Sequence, residues 1–174
     1  MIGKSAFLVG LATVAFVLGA TVTPTIGVDR VDLTPVADTF VQGGVEATWD
    51  HGLADHLDVD HGPADLAYLK SDLSALPGPV TRATLTLFCG NSSSDGGTVY
   101  PVADSSWIEG TRHGETTASA SGPGLKFADL DTNADGTLDA ADTSPFLPDV
   151  ARPLAALGSV VAGQPVTVDV TAAL

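Results

Sequence analysis

Residues Val80 to Cys89 read V-T-R-A-T-L-T-L-F-C, and this run constrains the fold more than any other stretch of the chain. Ala83, Leu85, Leu87 and Cys89 fall on one face and Thr84 and Thr86 on the other, the two-residue period of a strand with one buried side. Shorter strand-like runs surround it: Thr39–Val41, His56–Asp60, Leu66–Lys70, Thr98–Val102, Trp107–Gly110, Gly158–Val161 and Pro165–Val170. Gly (19) and Pro (11) punctuate them, and no strand–helix–strand rhythm of a parallel sheet is present. The pattern predicts an all-β chain, an antiparallel β-sandwich of jelly-roll type. Asp72 to Pro77 reads as one helical turn, entered through an Asp or Ser cap and stopped by the proline. Thr111 to Gly124 is small and polar and reads as a mobile loop. Cys89 stands alone, so an intrachain disulfide is excluded, and its place in the alternation makes it a small buried apolar residue.

The most specific chemical signal lies between Asp131 and Asp142, which read D-T-N-A-D-G-T-L-D-A-A-D. Side-chain oxygens stand at loop positions 1, 3 and 5 (Asp131, Asn133, Asp135), with Gly136 next, where the chain must turn back over an ion. Thr137 would offer its carbonyl, Asp139 a contact through water, and Asp142 closes the loop. This is the spacing of an EF-hand-type calcium loop, which serves a hard cation wanting six to eight oxygens at about 2.3–2.6 Å. Asp142 replaces the usual glutamate, so the closing ligand is one methylene shorter. Gly122, Pro123 and Gly124 upstream and Pro145 and Pro148 downstream leave no room for long flanking helices. The loop therefore reads as a structural calcium site rather than a switch.

Charge and address narrow the function classes. Seven Lys and Arg against 21 Asp and Glu give a formal charge of −14, which repels nucleic acid and anionic membranes. Residues 1–27 carry one early lysine, Lys4, then an apolar run from Ala6 to about Val22, which fits a signal peptide. An uncleaved membrane anchor and a retained segment for assembly are the alternatives, and membrane contact is expected only of the anchor. In each case residues 28–174 form a domain that is secreted or displayed at the cell surface, with the calcium loop inserted at about 122–150.

Several segments in order carry a family resemblance. They are Ala37–Val41, the turn ending His51-Gly52, Leu57–Val59, Ala67–Pro77, Val80–Leu87, Trp107–Gly110 and Val166–Thr171. Together they resemble the DNRLRE-type domain, also classed as carbohydrate-binding module family 96. The resemblance implies a secreted β-sandwich attached to polysaccharide-degrading enzymes and surface proteins, some of whose members bind alginate. Three departures stand out. Ser71 replaces a bulky apolar residue, the calcium loop is an addition, and the sequence stops at Leu174, where members continue through further strands. A sandwich short of its last strands exposes an edge that a donated strand can fill, and an apolar N-terminal segment from a neighbouring copy is one candidate.

Sugar recognition uses aromatic faces ringed by polar groups. Tyr68 and Trp107 are expected in the core, which leaves Trp49, in a turn, and Tyr100 as candidate ligand-binding residues. His51, His56 and His61, with Asp50, Asp55, Asp58, Asp60 and Asp65, form a cluster that reads as a solvated acidic face, with a second metal, zinc or copper, as the alternative, since a spacing of five suits no single face. No nucleophile elbow or other catalytic constellation is present. The reading is a non-catalytic module that binds extracellular polysaccharide, with one calcium ion as its cofactor. The charge favours neutral glycans, or acidic ones bridged through calcium. A surface or filament subunit completed by strand donation is the alternative, and a polysaccharide lyase or hydrolase the third reading.

Overall fold

The computed structural model describes residues 30–174 apart from Pro63 and Ala75, together with the backbone of Phe7–Val9 and Ala15–Phe16. Nine strands arrange in two sheets: β1 (Phe7–Val9), β2 (Ala15–Phe16), β3 (Ala37–Gln42), β4 (Asp60–His61), β5 (Ala64–Lys70), β6 (Ala83–Phe88), β7 (Thr98–Tyr100), β8 (Ala155–Ala156) and β9 (Pro165–Asp169). The first sheet runs β3-β5-β1-β7-β8, with β4 also on β5, and the second runs β2-β6-β9. The all-β expectation holds, and the pairings are antiparallel except those of β1, which lies parallel to both β5 and β7. The cleavage of residues 1–27 falls for the most part outside the described residues. Among those described, no helix is long and apolar enough to cross a membrane.

The strand-forming alternation of Val80–Cys89 emerges as β6, paired with β9 in the register Leu85↔Val168 and Leu87↔Val166. Its inward face is progressively uncovered along the strand: Ala83 and Leu85 are buried, whereas Leu87 and Cys89 are only half buried. Cys89 is therefore not the fully buried residue the pattern suggested. Leu87 and Cys89 here line a groove.

The first sheet is covered on both faces. Along β5, Ala67 and Leu69 join Phe40, Ala83, Leu85, Val99 and Val170 in the core between the sheets. Leu66 and Tyr68, one residue out of phase, point the other way with Ala37 and Val41 into a second core built with Trp107, Leu125, Phe127 and Leu130. The two-residue period alone sorts these side chains between the cores. The second core is covered by an irregular layer rather than a sheet. Its chain, from about 102 to 150, contains short 3-10 turns at Thr117–Ser121 and Phe127–Asp129. The Tyr68 hydroxyl donates to Phe146 O (3.0 Å), and Lys70 Nζ lies over the Trp107 ring while donating to Ser105 O and Trp107 O at 2.9 Å each.

Several expected strands are shorter than drawn from the sequence. His56–Asp60 contributes only Asp60, which with His61 pairs on β5, while Asp58 accepts the N–H of the next residue, Val59 (2.9 Å), in place of a ladder partner. Trp107–Gly110 makes no strand, and Gly158–Val161 reduces to a single bridge between Val160 and Ser93. After Asp72 the described residues make a hydrogen-bonded turn but no helix: Leu76 N–H reaches Leu73 O, and Ser74 N–H donates to the Asp72 carboxylate.

If the irregular layer is a true second core, Phe127→Ala, at a site only 1% exposed, should cost about 3–5 kcal/mol in urea unfolding. Thr86→Ala, on the open face of β6, should stay within about 0.5 kcal/mol.

Candidate functional site

Three features of the described residues bear on function: a buried carboxylate that anchors the irregular layer, the 131–142 loop, and a groove alongside β6.

Asp50 is wholly buried. Its Oδ1 accepts Gly52 N–H (2.9 Å), and its Oδ2 accepts Thr111 N–H and Gly124 N–H (3.0 Å each). Such an arrangement replaces water around a carboxylate with fixed backbone dipoles. It works only because glycines surround it. A Cβ at Gly110 or Gly122 would overlap the Asp50 carboxylate, and Gly110 holds a φ of +110°. Gly114, with φ +73°, lies against the His51 ring in the same way. The 111–124 segment, expected to be a mobile loop, is thus fastened onto Asp50 and His51. His51 is 2% exposed, stacks 4.1 Å from Phe40, and its Nε2 has no hydrogen-bond partner. Burial holds its imidazole below the ordinary pKa, against the opposing pull of Asp50.

In the loop, the structure realises the expected backbone. Gly136 (position 6) has φ +84° and Ala134 (position 4) φ +59°. Asp131 and Asp142, the first and last positions, are buried at 8% exposure each, while positions between them are exposed. Asp131 accepts the N–H groups of Asp135 (3.1 Å) and Gly136 (2.9 Å). Asp142 accepts those of Thr132 (2.7 Å) and Asp139 (2.9 Å). Thr137 donates its N–H (2.9 Å) and hydroxyl (2.6 Å) to Asp135. These donors hold the Asp135 carboxyl, through Thr137, and the Asp142 carboxyl, through Asp139, below the usual range. Asn133 Nδ2 donates to Asp135 (3.0 Å), and Asp139 accepts Ala141 N–H (2.7 Å). Among the described residues no three His, Cys, Asp or Glu side chains converge as a metal-binding group, either in this loop or in the histidine cluster. The loop is also part of the fold: Leu130 just before it is fully buried, and Leu138 within it packs on the second core.

The groove, of about 1260 Å³, runs between the end of β6 with residues 90–96 on one side and residues 54–60 on the other. Its floor is apolar, with Leu69, Leu87, Val160 and Val166, and its walls carry Asn91, Ser92, Ser94 and several aspartates. A side pocket of about 180 Å³ shares Ala54, Asp55, His56 and Asp58 with it and reaches His51, His113, Glu46 and Glu115. Trp49 and Tyr100, the aromatic candidates from sequence, line neither cavity and are both half buried. Tyr68 and Trp107 are core residues, as expected, in edge-to-face contact at 5.8 Å. Phe88, 79% exposed beside the groove, was not singled out by sequence, although its even position in the β6 alternation marks it as outward-facing.

Removal of the Asp50 acceptor should leave three N–H groups unpaired. Asp50→Ala should cost at least about 3 kcal/mol in chemical denaturation, and Asp50→Asn, which keeps one oxygen, markedly less.

No curated protein and no solved structure matches the chain. One family model does, that of carbohydrate-binding module family 96, over residues 29–134. The matched span takes in β3 to β7, the Asp50 anchor and the groove wall at 54–60, and ends inside the 131–142 loop. With more than half of its residues matched, the chain belongs to carbohydrate-binding module family 96.

Proposed function

We propose that the protein is a secreted, non-catalytic module that binds extracellular polysaccharide in the groove beside β6, and that the Asp131–Asp142 loop holds a structural calcium ion. The observation that carries the reading is the groove itself. It is long, open, apolar along its floor and lined above by amide, hydroxyl and carboxylate groups, the lining that sugar rings and their hydroxyls require. Family membership supports a binding role over a catalytic one.

The loop's chemistry fits calcium. Its donors are hard oxygens, its two positive-φ residues stand where the chain must double back, and the two terminal carboxylates are already oriented by backbone N–H groups. A carboxylate that accepts two hydrogen bonds keeps lone pairs for an ion. Asp131, Asn133, Asp135 and Asp142 would supply side-chain oxygens, Thr137 its carbonyl, and Asp139 a water-mediated contact. Extracellular loops of this class bind at about 10⁻⁴–10⁻³ M. Calcium at tenfold the dissociation constant then adds about 1.4 kcal/mol of stability. Because Leu130 and Leu138 tie the loop to the second core, the ion would stiffen that whole layer.

One observation favours a second reading, a surface subunit completed by strand exchange. Phe7–Val9 occupies the lane between β5 and β7, pairing with Leu66 and Ala67 on one side and Thr98 to Tyr100 on the other. A strand from a neighbouring copy would use the same two edges.

Thermal melting with millimolar calcium and with chelator tests the calcium site, and a glycan array run in both conditions tests the binding role. The expected calcium-dependent rise in Tm is about 3–6 °C, lost in Asp131→Asn and in Asp142→Asn. No rise in the unaltered protein removes the calcium site. Silence across the array, together with concentration-dependent oligomers in sedimentation, favours the strand-exchange reading.

A further inference from the structure

Resting on the polysaccharide-binding reading and extending it to the class of sugar, we infer that the groove and its side pocket take a glycan bearing protonated amino groups, a glucosamine-type polysaccharide. The groove is lined by Asp38, Asp55, Asp58, Asp60 and Asp95, and the side pocket adds Glu46 and Glu115. Neither cavity has a Lys or Arg among its lining residues. On the wall shared by the two cavities, His56 Nδ1 lies 2.8 Å from Asp55 Oδ1, both side chains being well exposed. A concave surface lined by one sign of charge concentrates counter-charged ligand, and the molecule's overall −14 acts in the same direction. A uronic acid polymer would meet repulsion along the whole groove, and a neutral glucan would gain nothing from the carboxylates beyond hydrogen bonds.

The acidic lining is joined by an independent feature. His51, 2% exposed, lines the side pocket and has an imidazole nitrogen, Nε2, that no protein group satisfies. A buried ring nitrogen left so costs free energy until a polar partner reaches it. Burial lowers its pKa and so favours the neutral ring, in which one nitrogen is an acceptor suited to an ammonium or hydroxyl donor. The apolar floor formed by Leu69, Leu87 and Val166 fits the hydrophobic face of a hexose ring, with Asp55 and Asp58 at the point where groove and side pocket meet. The amino group of one sugar residue would sit at that junction.

Calorimetric titration of the full chain, with calcium present, tests this using four oligomers of matched length: β-1,4-linked glucosamine, N-acetylglucosamine, glucose and a uronate. At a mildly acidic pH and low salt, the glucosamine oligomer should bind about tenfold or more tightly than the glucose oligomer. Rising salt should erode that margin. Asp55→Asn combined with Asp58→Asn, which keeps the oxygen that accepts Val59 N–H, should remove most of the preference for the glucosamine oligomer, weakening its binding far more than that of the glucose oligomer. Equal or tighter binding of the N-acetylated or uronate oligomer overturns the inference, as does a preference indifferent to the double substitution. Equal binding of the glucose and glucosamine oligomers overturns the amino-sugar assignment and leaves polysaccharide binding standing. Failure of all four to bind overturns both.

Discussion

The carboxylate of Asp50 is the constraint on which the outer half of the molecule depends. A charge of this kind is tolerated inside a protein only when its lone pairs are occupied. Here the occupants are three backbone N–H groups, that of Gly52 close by and those of Thr111 and Gly124, 61 and 74 residues further along the chain. That convergence fastens the irregular 102–150 layer over Leu66 and Tyr68 and lets the first sheet be buried on both faces. Glycines at 110 and 122 are the steric condition for it, since no other residue lets the backbone come so close. The same tether presents His51 to the side pocket and sets the 54–60 wall of the groove behind it.

The same acidic chain carries both proposed sites. On the outer layer, aspartates at fixed spacing occupy the loop proposed for calcium, with positive-φ turns at Ala134 and Gly136 and buried ends at Asp131 and Asp142. Beside β6, other aspartates line a concavity in which the apolar ends of the core strands remain uncovered. Both proposals rest on an excess of carboxylates, 21 Asp and Glu against seven Lys and Arg. Two exposed ion pairs among the described residues, Arg152–Asp149 and Arg30–Asp32, are local and involve no residue that lines the groove, whereas His56–Asp55 lies on its wall.

What was legible in the sequence was whatever depends on local period and spacing. The β6 alternation gave the strand and its buried face, and the register of glycine and aspartate gave the 131–142 turn before any coordinates. Long-range convergence was not legible. Trp49-Asp50-His51-Gly52 reads as an ordinary turn, and Gly110, Gly114, Gly122 and Gly124 read as a flexible stretch, because nothing in either segment says that they meet. Four glycines within fifteen residues, facing a lone Asp-His pair, were the available signal. The His56–Asp60 alternation misled because only its last residue reaches the ladder, the Val59 N–H being taken by the Asp58 carboxylate. Trp49 and Tyr100 were chosen by residue type, yet position relative to the uncovered end of β6 decides which side chains border the groove.

The central claim is that glycan sits in the groove between residues 54–60 and the end of β6. Hydrogen–deuterium exchange of the native protein, with and without a saturating oligosaccharide identified by binding, tests it most directly. The account predicts slowed exchange at residues 54–60 and 86–96, with little change around Trp49 or Tyr100. Protection confined to those aromatics, or to the 131–142 loop, would contradict it.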